Sequence, residues 1–227
     1  MTSPKFPGRF RTIAGPLPAP GALDAQAPHP FGSLTPVYEG FVERDGVKLW
    51  HAVWGTSGPW LAFAPPFQIV HSALLKGVVP YLAQHFRVVT MDGRGNGRSD
   101  RPRGQDAYSF DLYFGDFVAV LDAVGADRVA LVGISAAAMT VLRLAAEQPQ
   151  RVSHVVSAGG FAHSIAQTPE LAALSADEVQ RIATDWPKYL DSFMALIFNE
   201  PHSTKPYEDG VHYGWASDGE TIAWAYK

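Results

Sequence analysis

A serine stands at the centre of Val132-Gly133-Ile134-Ser135-Ala136-Ala137, between an apolar run at 128–132 and a stretch of small residues at 136–147. If the run is a strand and the stretch a helix, Ser135 occupies a tight strand-to-helix turn. Its backbone is then strained and its hydroxyl exposed. The small residues at 133 and 137 let strand and helix approach closely. The Ala136 N–H falls at the helix N-terminus, where an open donor and the helix dipole favour a developing oxyanion. That is the chemistry of acyl transfer by a serine oxygen. The plainer use of the same residues is a serine that caps a helix and does nothing else.

A serine nucleophile needs a base. His154, His163, His202 and His212 lie downstream. Asp209 with His212, and Glu208 with His212, have the order acid then histidine. Both pairs sit in a stretch punctuated by Pro201, Pro206, Gly210, Gly214 and Gly219, which reads as solvated loop. A triad is defined by geometry rather than order, so neither pair is expected to serve. His71, in Ile69-Val70-His71-Ser72, either lines a pocket or is a satisfied structural histidine, the latter being the simpler reading. Cysteine is absent, which excludes disulfides, thiolate catalysis and cysteine-based zinc sites.

The surrounding elements must hold this serine in place. Residues 37–43 and 47–54 are β-like runs joined by Asp45-Gly46, a hairpin signal. Residues 60–64 read as a short apolar strand, and 86–91 and 152–158 as further strands. A helical stretch around 74–85 must be interrupted or restarted by Pro80. Phe110, Tyr113, Phe114, Phe117, Val118 and Leu121 recur at helical spacing, with Ser109 to cap the helix and Gly125 to end it. Strand and helix alternate through the middle of the chain, which predicts an α/β fold: a doubly wound, mostly parallel sheet with helices on both faces. Residues 170–183 and 186–198 read as amphipathic helices with no strand between them, and a short helix is expected near 220–225. The predicted divisions are a flexible Pro-rich arm at 1–36, holding eight of the 18 prolines, a core at 37–160, and a helical region at 161–227.

The chain has 227 residues, 47% of them apolar, and a formal net charge of −4. That suffices for one sizeable core and argues against nucleic acid or an anionic membrane as partner. No apolar run approaches a membrane span, and the first ten residues hold no apolar signal core. A cytoplasmic location is the expectation. No metal or organic cofactor is indicated.

The elbow at Ser135, together with Asp92-Gly93-Arg94-Gly95-Asn96-Gly97-Arg98-Ser99, resembles the α/β-hydrolase fold family over roughly residues 37–161. The second motif looks like that family's Asp-x-Arg-Gly-x-Gly-x-Ser loop, in which Asp92 and Arg94 are expected to be structural. The resemblance implies a serine hydrolase acting on an ester, lactone or other acyl substrate. It makes Ser135 the nucleophile and the Ala136 and Phe67 N–H groups the oxyanion donors. Phe67 follows Pro65-Pro66, where the family usually has His-Gly and where neither proline can donate. It also implies that residues 161–227 are a helical cap, and that the family's last strands, with their acid and histidine, are missing beyond it. The rival expectation is a non-catalytic, hydrolase-like remnant or interaction module. The apolar cap residues, Ile182, Trp186 and Leu190 among them, suggest a mainly apolar substrate if a pocket lies beneath them. An open edge at 152–158 suggests a homodimer or a complementing C-terminal segment as partner, poor solubility, and at best weak esterase activity.

Overall fold

The computed structural model describes residues 35–160 and 169–226, and for 169–174 the course of the backbone alone. The arm predicted at 1–36 lies outside these residues except for its last two. The strands are β1 (Tyr38–Arg44), β2 (Val47–Trp54), β3 (Trp60–Phe63), β4 (Arg87–Met91), β5 (Val129–Ile134) and β6 (Val152–Ala158). They form one sheet in the order β1-β2-β4-β3-β5-β6. The β1–β2 and β2–β4 pairs are antiparallel. The β4–β3, β3–β5 and β5–β6 pairs are parallel, so the centre has the crossover architecture that the strand–helix alternation predicts.

Both faces of the sheet carry helices. On one, Leu75, Val79 and Leu82, from a 3-10 turn (Ser72–Gly77) and α1 (Val79–Leu82), pack on Trp54, Leu61, Phe63 and Val88. Pro80 sits in the first turn of α1, so it restarts the helix there. On the other face, α2 (Phe110–Ala123) and α3 (Ala137–Glu147) bury Phe117, Leu121, Val141 and Leu144 against Leu49, Val89 and Leu131. Ser109 caps α2, its side chain accepting from Leu112 N at 3.2 Å.

The remaining helices are α4 (Pro169–Thr184), α5 (Trp186–Ile197), α6 (Lys205–Gly214) and α7 (Gly219–Ala225). They share an apolar core of Ile182, Trp186, Leu190, Met194 and Ile222, which meets the sheet domain at Ile69. Helix α6 corrects the reading of this stretch as loop. Pro206 stands in its first turn, where no N–H is needed. Gly210 and Gly214 do not break it; they are where α5 comes close. A Cβ at Gly210 would lie 2.8 Å from Met194 Sδ and from the Phe198 ring, and one at Gly214 would strike Leu190.

Candidate active site

Strand β5 runs into Ser135, and α3 begins two residues later. Ser135 has φ 55°, in the left-handed region that a side chain occupies at a cost. The turn is pinned by Ser135 N donating to Ala158 O at 2.9 Å and Ala138 N donating to Ser135 O at 3.0 Å. Gly133 allows the tight exit: a Cβ there would lie 2.6 Å from Ala137 O and 2.7 Å from Val141 Cγ2. Ser135 itself is exposed. Among the described residues, no side chain is hydrogen-bonded to its hydroxyl.

Phe67 and Ala136 line one cleft of about 670 Å³. Among the described residues, neither N–H is given to a backbone or side-chain acceptor. Two residues with open N–H groups, from different loops, thus line one cleft, and the second of them directly follows the serine. The loop bearing Phe67 is held from below by the 92–99 turn. Asp92 accepts from Ser72 N and from Arg98 N, each at 2.9 Å. Asn96 donates from Nδ2 to the Gln68 carbonyl. Arg94 is buried and donates to both carboxylate oxygens of Asp116 on α2, at 2.6 and 2.7 Å, and to Ala107 O at 2.8 Å. Asp92 and Arg94 therefore do the structural work read for them.

A model of the family described as alpha/beta hydrolase fold matches residues 70–209. The chain belongs to this family. Among similar proteins is an epoxide hydrolase 2 from Siraitia grosvenorii, 25% identical over 170 residues, a match covering 75% of this chain and 48% of that protein. The chain spans less than half the length of the curated relatives it matches. Two solved structures share the fold: an esterase from Exiguobacterium antarcticum and an enol-lactonase from Burkholderia xenovorans LB400. The first has TM-score 0.73 and 18% identity, over 83% of this chain and 72% of its own. The second has TM-score 0.68 and 19% identity, over 82% and 72%.

Within this fold the downstream acid–histidine pairs lie elsewhere. Asp209 is on α6, where Lys76 and Lys205 both donate to its carboxylate and hold it below the usual carboxylate range against the opposing effect of burial. His212 is exposed, with its ring edge-on to Tyr213 at 6.2 Å. No hydrogen bond or ion pair among the described residues joins either to the elbow. His71 is buried, and its Nδ1 accepts from Ala73 N at 3.3 Å, capping the 3-10 turn. Burial holds its pKa below the ordinary histidine value, against the pull of Asp92. It is a structural histidine.

The cleft meets the helical region at Ala225 and Tyr226. Ile182, Trp186 and Leu190 are buried in the shared core of α4–α7 and have no apolar face left for a substrate. The cleft runs from Phe67 and Ala136 between the 93–94 turn, α2, the start of α3 and the end of α7, and its lining is more apolar than polar. Reading the sequence alone missed Asn96, Asp116, Gln68 and Tyr113. Asp116 had a usable signal, an acid on the face of α2 that also carries Phe117 and Val120. The others depend on contacts between loops distant in sequence.

Proposed function

We propose that the chain is a serine hydrolase of acyl compounds, an ester or a lactone, with Ser135 as nucleophile. The Ser135 oxygen bonds to the carbonyl carbon, the carbonyl π pair moves onto oxygen, and the Phe67 and Ala136 N–H groups receive that charge. The observation that carries this reading is a serine held at positive φ and followed directly by Ala136, which lines one cleft with Phe67, each of the two having an open N–H. Esters and lactones present the same electrophilic carbonyl, and an esterase and a lactonase stand among the neighbours in fold. No helix among the described residues is long and apolar enough to cross a membrane. A cytoplasmic setting is part of the proposal, supported by the absence of cysteine.

The hydroxyl proton needs an acceptor, and none is hydrogen-bonded to Ser135 among the described residues. This observation favours a second reading, in which the elbow persists in a non-catalytic interaction module. One experiment separates the two. Under the hydrolase reading, a fluorophosphonate probe labels the chain, and Ser135→Ala abolishes the labelling. Failure of the parent chain to label, or persistent labelling of the variant, overturns the assignment.

A further inference from the structure

Helix α7 is fastened to the sheet domain along its length. Just before its first turn, Arg101 donates to the Ala216 carbonyl, and Ser217 donates to Gly95 O at 2.6 Å. Arg103 pairs with Glu220 and stands over the Trp224 ring at 4.9 Å. Trp224 in turn stacks on Tyr108, with ring centroids 6.4 Å apart. At the end of the helix the Tyr226 ring meets Phe67 edge-on, the centroids 5.2 Å apart and the planes at 79°. The earlier contacts hold the segment from Gly95 to Tyr108. The last falls on a residue read as an oxyanion donor.

Within its own loop, Phe67 accepts at its carbonyl from Val70 N at 3.2 Å, which closes a turn, and its N–H is left open among the described residues. Its ring is half-buried against the core of α4–α7. An edge-on aromatic pair has a preferred geometry, so this contact orients the ring as well as covering it. The peptide that bears the N–H turns with the side chain. Tyr226 is itself braced. Glu178 on α4 accepts from the Tyr189 hydroxyl at 2.7 Å and lies beside the Tyr226 phenol, which burial and this carboxylate push up to about 12. The phenol therefore stays protonated, and the residue is held between Phe67 and Glu178.

We infer that Tyr226 is a positioning residue: its ring fixes Phe67, and through Phe67 the N–H that receives the oxyanion, a role that rests on the hydrolase reading. Helices α4 and α7 thereby set one of the two donors rather than only covering the sheet domain. Tyr226 takes no part in the bond-making steps.

The test uses the full chain and two readouts. Hydrogen exchange by NMR follows the Val70 amide, which closes the Phe67 turn. Fluorophosphonate labelling is resolved into affinity for the probe and the rate of the bond-forming step, in which oxyanion donors act. Tyr226→Leu keeps apolar bulk and loses the ring. Val70 exchange should rise roughly three- to tenfold, the value of one aromatic pair, while amides of α2 keep their rates. The labelling step should slow by more than about tenfold, short of the ~10²–10³-fold that loss of a whole donor costs, with probe affinity unchanged. Tyr226→Phe keeps the ring and should restore both. If Tyr226→Leu fails to fold, Phe67→Leu decides in its place, since it removes the other ring of the pair and keeps the N–H. Unchanged Val70 exchange, exchange that rises through α2 as well, or a labelling step as fast as the parent's overturns the inference. A parent chain that takes no label sinks the hydrolase reading, and Val70 exchange still decides whether Tyr226 holds Phe67.

Discussion

Ser135 is one of two residues other than glycine at positive φ among those described, the other being Asp45 in the β1–β2 turn. An aspartate in such a turn bonds locally and tolerates the conformation. For serine it costs about 1–2 kcal/mol, which the fold carries because the turn aims the hydroxyl outward. The strain is measurable apart from chemistry. Ser135→Gly and Ser135→Ala both remove the oxygen, but only glycine occupies this region freely. Ser135→Gly should therefore be more stable than Ser135→Ala by about 1 kcal/mol in urea unfolding. Equal midpoints would mean that the elbow relaxes in solution.

At the level of elements, α2 is more than a cover for the sheet. Its apolar stripe explains Phe117 and Leu121, but Asp116 is 1% exposed and binds Arg94 and Arg44. It fastens the 92–99 turn, and that turn in turn holds the carbonyl of Gln68 through Asn96. Buried pairs are costly to break because the remaining charge stays desolvated. Asp116→Ala should lower stability by about 3–5 kcal/mol. Arg94→Met combined with Asp116→Leu should recover a good part of the loss, since no charge is then stranded between them. The check is a double-mutant cycle by chemical denaturation with a control for Arg44. A single-mutant loss under about 1 kcal/mol would show the pair to be solvated.

At the scale of the whole molecule the sheet is unevenly covered. Val132 and Ile134 of β5 are half-buried, and Val156, paired with Val132 in register, is 54% exposed. Among the described residues, no strand pairs with the outer edge of β6. An open edge with apolar side chains invites another strand. The expected outcome is concentration-dependent self-association of the purified chain, seen by light scattering, and its reduction by Val156→Lys. A parent chain that stays monomeric at high concentration would count against that edge as a contact.

The alternation of strand and helix, the Asp45-Gly46 hairpin and the Ser109 cap were legible because each depends on neighbours in sequence: period, turn chemistry and capping. So was the elbow, since Gly133, Ser135 and Ala136 act within one turn. Helix α6 was not, because its glycines read as breakers until α5 is seen against them. The course of the cleft was not legible either. Local pattern assigned Ile182, Trp186 and Leu190 to an apolar face, but which element that face meets is decided by packing between helices. The meeting of Phe67 with Ala136, and of Gln68 and Tyr113 on one wall, joins segments dozens of residues apart. Periodicity records which side of an element is apolar; only the tertiary structure decides what stands opposite.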